Sequence, residues 1–158
     1  KKPKGTVDGR ILKKMMTHPY FKKKAPKSLD KEDFGKEFLK KYFGLLGIKE
    51  LQNALATLNS FTALSISSAY AGFPRRARLA EVVVSGGGAL NPLLMENLQR
   101  ALAPLPVVTS QKYGLPVMAK EAVCFAWLAL RAWRWQPNNC PQATGARGPR
   151  ILGKIILP

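Results

Sequence analysis

Cysteine is scarce in this chain, with only Cys124 and Cys140 among 158 residues, and histidine is scarcer, with His18 alone. Two thiols without CxxC spacing or neighbouring histidines exclude a disulfide framework and argue against a structural zinc site. A single imidazole excludes any mechanism within this chain that needs a histidine pair. Acids are few as well: nine Asp and Glu stand against 26 Lys and Arg, a formal charge of +17. Acids scattered this way assemble no Ser-His-Asp set and no paired-carboxylate cleft, so no catalytic residue and no metal ligand is assigned. Long apolar runs are missing too. The longest, Ala122 to Leu130, is about half of the ~20 residues a membrane span needs. A soluble, cytoplasmic protein of a reducing compartment, with no membrane partner, is expected. A start at Lys1 without an initiator Met or an apolar signal segment points to a piece of something longer.

What is present is 46% hydrophobic residues, enough for one domain with a continuous core. The positive charge favours anionic partners, whether nucleotides, nucleic acid or acidic lipid, without choosing among them. Val7, Ile11, Leu12, Met15 and Met16 recur at helical steps, and Pro19 ends that helix. Residues 20–26 read as a loop. Ser28 or Asp30 is expected to cap a second helix through Phe34, Phe38, Leu39, Tyr42 and Phe43. Glu32 and Asp33 would lie in its first turn, and Gly44 and Gly47 would stop it. From Lys49 to Tyr70, Leu51, Leu55, Leu58, Thr62, Leu64 and Ile66 predict a long helix buried on much of its circumference, closed by Gly72 and Pro74. A basic turn at Arg75, Arg76 and Arg78 follows.

The run from Glu81 to Ser85 predicts a buried strand. Asn91 then caps a helix with Pro92 at its first position, continuing through Leu93, Leu94, Leu98 and Leu102. Pro106 to Thr109 reads as a second buried strand, and a helix is expected from about Val117 to Trp135. An irregular segment rich in Pro and Gly follows, and Ile151 to Leu157 is expected to return as a closing strand.

The most distinctive local pattern is Val82-Val83-Val84-Ser85-Gly86-Gly87-Gly88-Ala89-Leu90-Asn91-Pro92, a strand feeding three glycines and a capped helix. Glycines admit a ligand close to the backbone, and a helix N-terminus offers free N–H groups, so a nucleotide fits there; a plain tight turn fits as well. The pattern is neither GxGxxG nor GxxxxGK[ST]. Glu121 interrupts an apolar stretch; it could accept bonds from sugar hydroxyls, or simply answer a helix dipole. Trp127, Trp133 and Trp135 lie near Arg131 and Arg134. Stacking on single-stranded nucleic acid is one reading, and core packing with an amphipathic rim is the simpler one. The runs Lys22-Lys23-Lys24 and Lys40-Lys41 read as solvated faces.

Several segments together resemble the anhydro-N-acetylmuramic acid kinases, with levoglucosan kinases as a more distant likeness. They are Gly5-Thr6-Val7-Asp8, His18-Pro19-Tyr20-Phe21, Pro26-Lys27-Ser28 with Glu32-Asp33-Phe34-Gly35, and the run from Val84 to Pro92. Tyr113-Gly114-Leu115-Pro116, Ala119-Lys120-Glu121-Ala122 with Phe125 to Ala129, Thr144-Gly145-Ala146 and Leu152-Gly153-Lys154-Ile155 complete the series. The resemblance implies an α/β fold, a ribonuclease-H-like lobe of the actin, Hsp70 and sugar-kinase superfamily. Residues 1–158 would be its C-terminal lobe, with 1–48 a helical lead-in and 49–158 a nucleotide-binding α/β core. The N-terminal catalytic lobe, with its phosphate loop and general-base aspartate, has no matching segment here.

The implied cofactors are ATP and Mg²⁺, and the implied partners are ATP/ADP, an anhydro-sugar substrate and the missing N-terminal lobe, with a homodimer left open. Ser85, Gly86, Gly87, Gly88 and Asn91 would form the adenosine side of the nucleotide site, and Glu121 would contact the sugar. In the family's chemistry water opens the 1,6-anhydro ring while O6 takes the γ-phosphoryl group, a step in cell-wall sugar recycling. This chain alone is expected to be inactive. One departure stands out: Ser28-Leu29-Asp30-Lys31-Glu32 replaces the family's Ser-Thr-Gly-Arg-Glu, and Lys lacks the planar fork with which Arg holds an anion. The alternatives are a non-catalytic nucleotide-binding paralogue, a levoglucosan-type kinase and, less favoured, a basic nucleic-acid-binding module.

Overall fold

A computed structural model of the chain describes residues 5–24, 27, 29, 33–44, 46–72 and 79–156. Helix α1 spans Gly9–Met16, and its start is set by Asp8, whose side chain accepts hydrogen bonds from the Arg10 and Ile11 N–H groups at 2.9 Å. The helix thus begins two residues after Val7, which is exposed rather than part of the apolar stripe. Pro19–Lys22 form a 3₁₀ turn where a loop was expected, because Pro19 is preset for its first position and His18 Nδ1 accepts from the Tyr20 N–H.

Helix α2, Lys36–Phe43, starts at Gly35, so Asp33 and Phe34 precede it instead of forming its first turn. Ser28, Asp30 and Glu32 lie outside the described residues. Gly44 ends α2 at φ +62°, a conformation that favours glycine, whereas Gly47 begins the next helix rather than stopping this one. Met15, Phe38 and Phe61 bury together, with Phe21 and Phe34 edge-on to Phe61 at 5.8 and 5.5 Å.

Helix α3, Ile48–Ala71, carries both cores. Its buried residues are small or aromatic: Ala54, Ala56, Thr57, Phe61 and Ala63, while Leu51, Leu55 and Leu64 are exposed. At 3.6 residues per turn Ala54, Thr57 and Phe61 lie on one side and Ala56 and Ala63 on nearly the opposite one, so burial reaches both sides of the helix as expected, but through small and aromatic residues instead of Leu51, Leu55 and Leu64. Gly72 closes the helix as expected, and the Arg75, Arg76 and Arg78 turn lies outside the described residues.

Strand β1 (Val82–Val84) pairs in parallel with β2 (Val107–Thr109), in the register Val82 to Val107 and Val84 to Thr109. Helix α4, Pro92–Leu102, connects them; Asn91 caps it and Pro92 occupies its first position. Val82, Leu98, Leu102 and Ala63 bury together, so α3 and α4 cover one face of the sheet. Ser67 Oγ donating to the Ala101 carbonyl at 2.7 Å and Asn97 Nδ2 donating to Asn59 Oδ1 at 2.8 Å lock the two helices. Period-two alternation sends Val83 to the opposite face, where it is 48% exposed, so β1 is not the fully buried strand its run of valines suggested. A mixed helix and strand structure with a small parallel sheet agrees with the α/β expectation.

Helix α5 runs Lys120–Trp133, shorter at both ends than expected. Trp127, Trp133 and Trp135 are all more than half exposed, which corrects the reading of them as core. The irregular segment after α5 contains one helical turn, α6 (Pro141–Thr144). No strand forms over 151–156. Gly153 at φ +114° interrupts the extended run, and the Leu152 N–H and carbonyl are bonded to the Asn138 side chain instead of to a sheet edge.

Candidate functional site

Parallel strands deliver their carboxyl ends to one side of the sheet, and in α/β folds ligands collect there. In this chain the segments beyond those ends are the glycine turn after β1 and the 3₁₀ turn Ser110–Tyr113 after β2. Gly86 has φ +83° and ψ −175°, a conformation essentially reserved for glycine. It turns the chain into the 3₁₀ segment Gly87–Leu90, which leads directly into α4.

The space around this turn is open. A Cβ added at Gly86 or Gly87 would meet nothing within 4 Å, while one at Gly88 would touch Leu94 Cδ2 at 3.4 Å. Gly87 and Gly88 are exposed, and Ser85 and Gly86 are half-buried. Gly86 also makes a long-range bond, its N–H donating to the Val117 carbonyl at 2.6 Å. That bond brings the approach to α5 against the glycine turn. Glu121 follows Val117 by four residues, so the chain cannot carry it more than about 14 Å from that carbonyl.

The remaining site residues are placed as follows. Asn91 Oδ1 accepts from the Leu94 N–H at 3.2 Å, so its oxygen serves the helix cap. Glu121 is exposed in the first turn of α5, a helix whose N-cap Ala119 provides no side-chain bond. A carboxylate there answers the helix dipole and stays accessible to a ligand. The structure therefore gathers Ser85, Gly86, Gly87 and Gly88 with the segment that leads to Glu121.

Ser110 was missed by the sequence reading. Its hydroxyl is buried at the carboxyl end of β2 and, among the described residues, has no hydrogen-bond partner. A buried hydroxyl left unmet costs about 1–3 kcal/mol, and such a group is commonly satisfied by a ligand or a bound water. The available signal was its position, immediately after the second strand.

A family model described as Anhydro-N-acetylmuramic acid kinase matches residues 1–158. The chain belongs to this family. It is 36% identical to the anhydro-N-acetylmuramic acid kinase of Salinibacter ruber over 98% of its own length and 40% of that relative. Against the Streptomyces avermitilis protein of the same name the identity is 38%, over 96% of the chain and 38% of the relative. The Phenylobacterium zucineum protein is 39% identical over 98% and 39% respectively. The chain thus spans about 40% of the length of these anhydro-N-acetylmuramic acid kinases. Among the described residues no helix is long and apolar enough to cross a membrane.

Proposed function

We propose that this chain is the C-terminal, ribonuclease-H-like lobe of a cytoplasmic, ATP-dependent kinase that hydrolyses the 1,6-anhydro ring of anhydro-N-acetylmuramic acid and phosphorylates O6. Atoms balance as ATP, water and the anhydro-sugar giving ADP and the sugar 6-phosphate. The observation that carries the reading is the open glycine turn at the carboxyl ends of two parallel strands, bonded through Gly86 to the segment preceding Glu121. Family membership supplies the reaction class.

The residues fit a nucleotide. Gly86 and Gly87 offer backbone without side-chain obstruction between Ser85 and Gly88, and the Ser110 hydroxyl, without a partner among the described residues, lies at the adjoining strand end. Phosphoryl transfer depends mainly on positioning and on stabilising charge, and this lobe's part is to hold the adenosine side and orient the sugar through Glu121. Mg²⁺ would travel with the nucleotide, held mainly by its phosphate oxygens and waters, and so needs no cluster of three His, Cys, Asp or Glu side chains, of which none is found among the described residues. The general base and phosphate clamp are assigned to the length that the relatives have and this chain does not match.

Calorimetry on a chimera carrying the unmatched part of the Salinibacter ruber relative tests the reading. Gly87→Val is expected to weaken ATP at least tenfold with the fold intact, and Glu121→Gln to lower sugar affinity or turnover while ATP binding holds. Unchanged ATP affinity in Gly87→Val would reduce the glycine run to a structural turn. A Glu121→Gln effect confined to thermal stability would leave that residue as a dipole partner only. The isolated 158-residue chain is expected to release no ADP in a sugar-dependent manner.

A further inference from the structure

Positive charge is divided along the chain by kind as well as by amount. Residues 1–49 hold 14 lysines and a single arginine against five acids, whereas residues 50–158 hold three lysines and eight arginines. Helix α1 sets part of that excess on one side: Lys13 and Lys14 follow Arg10 by three and four residues, positions that share a helix face, and all three are exposed. The other side of α1, with Ile11, Leu12, Met15 and Met16, is packed into the core with Phe38 and Phe61. Beyond the helix, Lys22, Lys23 and Lys24 are exposed in succession. Asp8, the acid nearest in sequence to the α1 stripe, accepts from the Arg10 and Ile11 N–H groups through its carboxylate. Among the described residues the ion pairs join Arg100 to Glu96 and Lys112 to Glu81, so none of these six cations has an acidic partner there.

Like charges held this close in sequence repel one another, and an anionic surface relieves that repulsion. Nucleic acid and an anionic bilayer both offer such a surface, and side-chain chemistry separates them. Nucleic acid is read by arginine forks and by aromatic rings that stack on bases. This stretch has one arginine, and its rings are engaged: Phe21 and Phe34 pack against the core, and the Tyr20 ring lies 4.5 Å from Lys27 Nζ. Lysine is a compact, strongly hydrated point charge and suits headgroups that shift laterally to meet it. With the apolar side of α1 already buried, nothing on that helix is free to enter hydrocarbon, and contact stays at the level of the headgroups.

We propose that Arg10, Lys13, Lys14 and Lys22 to Lys24 form a docking surface for an anionic lipid bilayer, through a peripheral contact that salt reverses. Each such residue brought within a Debye length of the bilayer, about 10 Å at 0.1 M salt, gives roughly a fivefold gain in partition. The expectation of no membrane partner rested on the lack of a spanning segment, which a contact of this kind does not need. The proposal is independent of the ATP and sugar assignments.

The test is co-sedimentation of the purified 158-residue chain with phosphatidylcholine vesicles containing about 30% phosphatidylglycerol. Binding is expected at about 0.1 M salt, at least tenfold weaker at about 0.5 M, and absent with phosphatidylcholine alone. Lys13→Gln/Lys14→Gln/Lys23→Gln should keep its circular dichroism and weaken binding at least twentyfold. Arg134→Gln/Arg147→Gln/Lys154→Gln removes the same charge from exposed sites after α5 and should change binding less than threefold. The chimera with the unmatched part of the Salinibacter ruber relative should bind as the chain does. Absence of binding by the chain or by the chimera would overturn the proposal, and equal losses in the two triple variants would leave net charge as the whole effect and overturn it too. So would a lysine variant that loses duplex DNA but keeps the vesicles. If the lysine variant fails to fold, acetylation of the unsubstituted chain decides: vesicles should slow modification of Lys13, Lys14 and Lys22 to Lys24 but not of Lys154, and uniform or absent slowing refutes the docking surface.

Discussion

Replacing Gly86 by alanine separates backbone conformation from steric space in the glycine turn. The added methyl group would meet nothing within 4 Å, so no clash opposes it. The obstacle is φ +83° with ψ −175°, which an alanine adopts at a cost of about 1–3 kcal/mol. Any shift away from that conformation also endangers the 2.6 Å bond from the Gly86 N–H to the Val117 carbonyl, worth about 0.5–1.5 kcal/mol. A destabilisation of roughly 2–3 kcal/mol is expected, partly as strain and partly as loosening of the segment before α5. Gly87→Ala is the control, because that site is equally open but has no positive φ. Its expected effect ranges from neutral to a gain of about 0.4–1 kcal/mol through the unfolded chain.

Urea unfolding followed by circular dichroism reads both variants. With a slope of about 1–3 kcal/mol/M, a loss of ~2 kcal/mol lowers the midpoint by about 0.7–2 M. Gly86→Ala should show that fall and Gly87→Ala should not. Equal midpoints for the two variants would refute the conformational argument. Faster amide exchange at 115–119 in Gly86→Ala alone would show that the bond to Val117 is what the turn maintains.

Asn138→Ala removes three side-chain hydrogen bonds, to the Leu128 carbonyl and to both backbone groups of Leu152. At about 0.5–1.5 kcal/mol each, this should release the tail, seen as fast exchange over 150–156 with little change in α3 or α4. Asp8→Ala removes the acceptor for two N–H groups at the start of α1 and should cost about 0.5–2 kcal/mol, measured by thermal unfolding; Asp8→Asn should recover most of it.

Local signals in the sequence determined most of the elements. Asn91 and Pro92 mark the start of α4 because a cap and a preset φ act within three residues, and the valine run marks β1 for the same reason. Leucine spacing located α3, and the stretch following Gly114 and Pro116 located α5, each within a few residues, and motifs along the chain already carried the family resemblance that the comparison established. Tertiary structure decided what covers what. Periodicity identifies an apolar face but not its neighbour, so the tryptophans of α5 read as core although they stand in solvent. The bond from Gly86 to Val117 and the fastening of Leu152 by Asn138 join residues 31 and 14 positions apart, beyond the reach of any local pattern. The closing strand failed for a related reason: extended residues become a strand only when a neighbouring edge accepts their backbone groups, and at Leu152 the Asn138 side chain takes them instead.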